Sequence, residues 1–503
     1  EIRPRDWSSD VCSSDLDVIV VGAGVTGLLS ALVLAKHGKK VLILEKSKHV
    51  GGNCNSYVVD GFQVDTGAHA ITHLIEGPLK RLMESYFDYL PVFEDYGNYF
   101  IRTDKRLVKV PSNIKEFVTF DVLPKMDRLV LSQAVTKALT YRTFGMDLSK
   151  QSVCEFLPKN LSQDTYDFAN TISYFLTGKD MKHTSAQRVL EGSAFVRDSV
   201  TPEQLDEILK TEERNGQEEK VLQNLIPLNL HTSLQTRLNK VSSPLTTLGR
   251  LATNKVSYSQ GYPRKGLRSL LNAILYSLPR SVEIMVEDPV HKILTEEGVV
   301  KGVMADDTYL ADMVIHTGFA KDLPYLVEDL PSSYVKELEG IVQTKSLTIW
   351  LGLDTTMEAF NYIGSEIWFR DKAYWAMPIS NYDSSLAPEG KQLVGFTFVI
   401  DPEKDDSSEV KKAYETIYNA VPGIEEHVEM KHEQIIIPEK AAVTIDGNFA
   451  DIRTPIKNLY VAGTDTDRRS MGITRAAYSV IEMLRVLNID GNLHRRGGRN
   501  SSP

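Results

Sequence analysis

The sequence predicts an α/β fold in which a parallel sheet is assembled from separated stretches of chain, with an α+β region of antiparallel sheet and helices inserted between them. Three observations predict it. After a short polar leader the chain runs through a β-branched stretch, a glycine-rich turn, an apolar helical stretch and a second β-branched stretch, which is a βαβ unit. Apolar and polar positions alternate over 344–353, 363–369, 373–380 and 391–400, as in half-buried antiparallel strands. Near the end, a strand over 458–462 runs into glycine and then into a helix that opens at Gly472 and continues to about Leu487.

Composition bounds the function. The 503 residues, 42% hydrophobic and 25% charged, are ordinary globular chemistry, enough for about two to four cores of roughly 150 residues. A net charge of −10 argues against general nucleic-acid binding, since a phosphate backbone selects basic surfaces. The three cysteines, Cys12, Cys54 and Cys154, form no C-x-x-C pair, so disulfide scaffolds, structural zinc and cysteine-ligated iron–sulfur clusters lack ligands. A reducing, cytoplasmic location is the expectation. Within residues 1–16, EIRPRDWSSDVCSSDL, the stretch Asp6 to Leu16 resembles the in-frame translation of a sequencing adapter, and all sixteen are set aside as non-native; 491–503 read as a disordered polar tail.

Val18 to Ala35 carries no charge and approaches the roughly 20 residues of a membrane span. Gly22, Gly24 and Gly27 fall where a spanning helix would need its strongest formers, so the stretch reads as strand, turn and buried helix. In G-x-G-x-x-G, Gly22 makes the tight turn, Gly24 lets backbone approach a pyrophosphate, and Gly27 lets helix pack on strand; Glu45 then closes the second strand. This is a Rossmann-like dinucleotide site. Gly51-Gly52 follows, then a hairpin at Asp60-Gly61. Residues 76–256 read as mostly helical, with a capping box at Thr201-Pro202-Glu203-Gln204. A helix follows Gly266, then short strands at 282–286, 290–294, 299–304 and 311–317.

Three segments carry a specific resemblance: Asp65-Thr66-Gly67-Ala68-His69, Tyr262-Pro263-Arg264-Lys265-Gly266-Leu267, and the terminal strand–glycine–helix. Through them the chain resembles the flavoprotein superfamily of phytoene desaturases, retinol saturases, amine oxidases and protoporphyrinogen oxidases, essentially over 17–490. The phytoene-desaturase and retinol-saturase branch is the nearest. The resemblance implies FAD, with Gly22, Gly24, Thr26 and Gly27 at the pyrophosphate, Glu45 and Lys46 at the adenosine, and Gly51 and Gly52 on the far side of the diphosphate. It places Gly67 near the flavin and Val290, in a strand over 289–293, against the adenine. Gly463 and Asp465 go to ribityl or phosphate oxygens, and Gly472-Ile473 brings amides to the pyrimidine edge, where a helix N-terminus stabilises reduced flavin. It further implies an FAD domain from 17–75, 257–330 and 441–490, and a substrate domain from 76–256 and 331–440. Two departures stand out. Asn53 follows the double glycine where relatives carry Arg, and 465–470 replaces a His-Pro-Gly of carotenoid desaturases, which points away from phytoene itself.

The function so implied is an FAD-dependent oxidoreductase that desaturates or saturates carbon–carbon bonds of an apolar, isoprenoid- or carotenoid-like substrate by hydride transfer at flavin N5. His69 is the candidate for proton transfer or flavin contact, against a structural, hydrogen-bonded role. A flavin amine oxidase is the alternative, although no aromatic lies between Gly463 and Gly472; a non-catalytic prenyl-binding scaffold such as the Rab escort proteins is a third. His69 and His73 would share one face of a helix but lack a third ligand, so no metal is expected. Tyr374, Trp375, Trp368 and Phe369 either line an apolar channel or pack a core. From Val221 to Val282 there is no Asp or Glu, and Arg237, Lys240, Arg250 and Lys255 are read as a peripheral docking site for an anionic membrane, against an ordinary solvated basic surface.

Overall fold

The computed structural model describes residues 16–67, 69–74, 77–111, 114–143, 147–192 and 260–493. The capping box at Thr201 and the basic residues Arg237, Lys240, Arg250 and Lys255 lie outside them. The chain opens with β1 (Val18–Val21), α1 (Val25–Lys36) and β2 (Val41–Glu45), followed by the hairpin β3 (Ser56–Val59) and β4 (Phe62–Asp65). Next come α2 (Pro78–Tyr86), β5 (Phe93–Asp95), β6 (Asn98–Arg102), β7 (Leu107–Lys109), α3 (Ile114–Thr119), α4 (Lys125–Thr143), α5 (Val153–Phe156), α6 (Gln163–Thr177) and α7 (Ala186–Gly192). The second half carries β8 (Gly261–Pro263), α8 (Leu267–Ser277), β9 (Val282–Val286), β10 (Lys292–Glu296), β11 (Val299–Met304), β12 (Thr308–Leu310), β13 (Met313–His316), α9 (Leu323–Leu326) and α10 (Ser332–Glu339). It ends with β14 (Ser346–Leu353), β15 (Gly364–Trp368), β16 (Tyr374–Met377), β17 (Gln392–Val399), α11 (Asp406–Ala420), β18 (Val428–Ile436), β19 (Leu459–Val461) and α12 (Gly472–Ile489).

The parallel sheet has the order β19-β13-β1-β2-β9, so its strands come from the beginning, middle and end of the chain. Helix α1 is buried from Val25 to Ala35 because it is apolar all round, and it packs through Leu28, Leu29 and Leu32 with Ile274 of α8 and Ala477 and Val480 of α12. The opposite face of the sheet, with Ile19, Leu42 and Leu44, is covered by β10, β11 and α10. Leu16, set aside with the leader, packs against this second cluster. Asn492 bonds Asn458 and Tyr460, and Leu493 is buried, so the first residues of the expected tail are packed.

The second sheet has the order β18-β14-β17-β16-β15-β6-β7. The four strands anticipated from alternation are present, but β14 and β15 are buried along their whole length rather than half-buried. Residues of α11 cover Leu347, Ile349 and Leu351 on one face, while Trp350 meets Phe62, Val64 and Tyr262 on the other. Residues 93–109 depart from the expected helices and form β5 to β7. These strands are too short to carry a periodic signal, and their pairing is tertiary. Arg102 of β6 donates to both carboxylate oxygens of buried Glu366 in β15, each at 2.5 Å, and the hydroxyls of Tyr362 and Tyr374 fill the remaining acceptor sites. The expected strand at 289–293 begins only at Lys292, leaving Val290 in the half-buried link before β10.

Candidate FAD and substrate site

The carboxyl ends of β1, β13 and β19 lie side by side, the edge at which sheets of this topology bind ligands. Gly22 turns at φ +103°, and a Cβ on Gly27 would lie 2.0 Å from the Gly22 carbonyl oxygen, so Gly27 is required for α1 to close on β1. A Cβ on Gly24 would meet nothing within 4 Å. Gly24 thus serves the open side, where α1 begins with no side-chain cap and no acid in its first turn; Thr26 is buried there. Gly51 donates its amide to the Ala23 carbonyl at 2.8 Å, which lays the double glycine against the first turn.

Glu45 accepts the Ala23 amide at 2.7 Å and the Ser47 amide at 2.8 Å, so it braces the glycine turn as well as ending β2. Two of its four acceptor sites are thereby used. Lys46 is exposed. Asn53 spends its side-chain amide on the Ile437 carbonyl, tying the double-glycine loop to the segment after β18.

Asp465 is 1% exposed; its Oδ2 accepts the Ala320 amide at 2.7 Å, and its Oδ1 has no hydrogen-bond partner. A buried carboxylate oxygen left without a donor is costly, and the hydroxyls of a ribityl chain are donors of the required kind. Gly463 donates to Ser479 at 2.8 Å, and a Cβ there would lie 2.6 Å from Asp465 Oδ1. Together with the open faces of Gly24 and Gly472, this donor and acceptor set fits FAD.

The flavin end contains residues that sequence reasoning did not single out. Gly67, at φ +74°, donates to Gln434 Oε1 at 2.7 Å, and Gln434 also bonds Trp350, Tyr57 and the Asp65 carbonyl. Gly472 donates its amide to Glu439, so one of the two amides expected at the pyrimidine edge is held by the chain's own carboxylate. Glu439 pairs with the fully buried Arg475 at 2.9 Å, and Arg475 also donates to the carbonyls of Ala441 and Ser470. A charge among Ile473, Ala476, Ala477 and Val480 was the available signal for this pair, since an arginine on an apolar helix face needs a buried partner.

Asp65 of the Asp-Thr-Gly motif is buried. It accepts from Ser56 at 2.6 Å, Tyr262 at 2.7 Å and the Leu267 amide at 3.1 Å, thereby capping α8. Burial outweighs these donors and raises its pKa. Burial, with the Asp65 charge, also pushes the Cys54 thiol well up, which makes it an inert core group.

A cavity of about 1360 Å³ opens from this end. Its walls include His69, Thr72, Glu439, Gly472 and Ile473, and then Tyr99, Ile172, Phe175, Tyr374 and Trp375. Trp368 and Phe369, grouped with the last two in the sequence, belong instead to packed clusters. His69 Nε2 lies 2.8 Å from the Thr66 carbonyl oxygen. A carbonyl only accepts, so Nε2 is the donor of this bond and Nδ1 is the ring nitrogen that the bond leaves unengaged. His73, at φ +61°, turns to Thr72, and residues 69–73 are not helical, which removes the shared helix face.

A family model described as flavin containing amine oxidoreductase matches residues 25–479. The chain is 25% identical to a zeta-carotene-forming phytoene desaturase of Myxococcus xanthus over 415 residues, which is 75% of this chain and 71% of that protein. It is 36% identical over 107 residues to the all-trans-retinol 13,14-reductase of Rattus norvegicus; that match covers 20% of this chain and only 16% of the rat protein. In fold it is similar to the crystal structure of an oxidoreductase from Methanosarcina mazei, with a TM-score of 0.70 at 19% identity over 93% of this chain and all of that one.

Proposed function

Because the chain belongs to the family of flavin containing amine oxidoreductases and takes FAD as its cofactor, we propose that it moves hydrogen to or from a carbon–carbon bond of an extended apolar substrate of isoprenoid or carotenoid type. The observation that carries this reading is the cavity: about 1360 Å³, with a wall that is mostly apolar, carries charged side chains such as Lys109, Asp180 and Lys372 as well, and includes His69 and Gly472-Ile473. Such a volume exceeds the roughly 300–1,000 Å³ of ordinary small-molecule sites, and its walls reward burial of hydrocarbon rather than of a small amine. The partial matches to a phytoene desaturase and a retinol reductase support the same substrate class.

FAD, when bound, supplies the two-electron hydride chemistry. The protein supplies geometry and one proton route. His69 Nδ1 accepts or returns a proton at the inner end of the cavity, while the Nε2 bond to Thr66 fixes the ring. Gln434 holds Gly67 in place, and the Glu439–Arg475 pair fixes the start of α12. Tyr99, Phe175 and Trp375 exclude water and align the chain of the substrate.

The test is binding of a polyene, read by quenching of tryptophan fluorescence. Saturable quenching by a polyene that is weakened by Phe175→Arg, with unchanged flavin content, supports the reading. Quenching that Phe175→Arg leaves intact, or none at all, removes the cavity as the substrate site.

A further inference from the structure

We propose that the ammonium of Lys440 is the cation that faces the diphosphate of the bound dinucleotide. The proposal rests on the FAD assignment and adds to it a residue on none of the glycine motifs. Lys440 Nζ donates to the carbonyls of Thr317 and Gly318, each at 2.6 Å. Thr317 directly follows β13, and its own hydroxyl donates to the carbonyls of Val21 at 2.9 Å and Gly22 at 3.0 Å. On the other side, a Cβ built on Gly463, just past β19, would lie 3.2 Å from Nζ. The ammonium therefore sits where the carboxyl ends of β1, β13 and β19 meet, beside the turn of G-x-G-x-x-G.

No ion pair among the described residues neutralises its charge there, and the other group it meets is the face of the Phe319 ring, whose centroid lies 5.5 Å from Nζ. Among the described residues no carboxylate lies within 4.0 Å of Nζ; Asp465 and Asp322 act on it only from farther away, and burial shifts its pKa downward. Two of the three ammonium donors are used on carbonyls, and among the described residues no hydrogen bond takes up the third. Close by, the Oδ1 of Asp465 is an acceptor without a donor, yet the two groups do not pair. A spare donor and a spare acceptor, separated in one crevice, fit a ligand that brings both an anion and hydroxyl groups. A dinucleotide brings a diphosphate and a sugar alcohol. The double-glycine loop itself adds no cation next to Gly52, since Asn53 is committed to the Ile437 carbonyl.

The test compares the full-length wild type with Lys440→Met and Lys440→Arg. FAD affinity is measured from the fluorescence of released flavin, and ADP and adenosine are used as competitors that do and do not carry the diphosphate. The expected result is that wild type prefers ADP to adenosine, that Lys440→Met releases FAD about tenfold or more readily and loses the ADP preference, and that Lys440→Arg keeps it. Lys440→Met with wild-type FAD affinity and an intact ADP preference overturns the inference, as does an equal loss of ADP and adenosine accompanied by a lower Tm, which marks a structural lysine. A wild type that takes up neither FAD nor ADP overturns the cofactor assignment and this inference together.

Discussion

The carboxylate of Asp65 accepts the phenol proton of Tyr262 at 2.7 Å, joining two motifs 197 residues apart in the chain. The Asp-Thr-Gly run and the Tyr-Pro run before α8 occur together because one buried carboxylate caps the helix of the other, through the Leu267 amide and Ser56. Asp65→Ala strands these buried donors at ~1–3 kcal/mol each, a loss read by denaturant unfolding. Asp65→Asn keeps an acceptor for Ser56 and Leu267 and is expected to fold.

The same residue sets a pH dependence. Its folded pKa is raised by burial, so the folded state binds the proton more tightly than the unfolded state does. Stability therefore falls as pH rises from the ordinary carboxylate range through the raised value, and is regained on acidification across that window. Unfolding free energies measured across it should show this slope in wild type and a flatter profile in Asp65→Asn; equal slopes would reassign the dependence.

The glycines of the first turn separate packing from binding. Gly27→Ala places a methyl group 2.0 Å from the Gly22 carbonyl oxygen and should cost about 1–3 kcal/mol along with bound flavin. Gly24 has φ −68° and open space, so Gly24→Ala should keep the wild-type Tm while FAD affinity falls about tenfold. Thermal melts and flavin titrations of the two variants distinguish these outcomes.

The ion pair at the start of α12 is buried on the arginine side. Glu439→Ala leaves the Arg475 guanidinium without its carboxylate and is expected to lose about 3–5 kcal/mol. Equilibrium unfolding checks it, and a loss below about 1 kcal/mol would mean that the carbonyls of Ala441 and Ser470 suffice.

How much of this was legible in the sequence varies with the range of the interaction. The βαβ unit with Gly22, Gly24 and Gly27 announces itself because turn geometry and phosphate approach are local demands, whereas Gly51 and Asp465 are reached only through the family resemblance. Gln434 and Lys440 do not announce themselves, because each acts through a partner more than a hundred residues away, and Glu439 does not because its partners Gly472 and Arg475 reach it only once α12 docks. Strands β5 to β7 were missed for the same reason. The parallel pairing of β6 with β15, locked by Arg102 and Glu366, is a tertiary fact imposed on residues with no period of their own.

The basic stretch before α8 makes a prediction from charge alone. Each Lys or Arg at an anionic bilayer contributes about 1 kcal/mol. Flotation with anionic vesicles that is lost at high salt, and lost when Arg237, Lys240, Arg250 and Lys255 become Gln, is the expected outcome. Equal recovery with neutral vesicles assigns those residues to an ordinary solvated surface.

The central claim is that FAD in this chain exchanges hydrogen with a carbon–carbon bond, and the most direct measurement is the anaerobic flavin spectrum. Oxidised protein is mixed with a partly saturated isoprenoid, photoreduced protein with the corresponding polyene, and each against a series of primary amines. The expected result is that one isoprenoid mixture changes the flavin colour and yields a product differing by one H₂, while the amines leave the oxidised spectrum unchanged. Bleaching by an amine, with both isoprenoid mixtures silent, would contradict it.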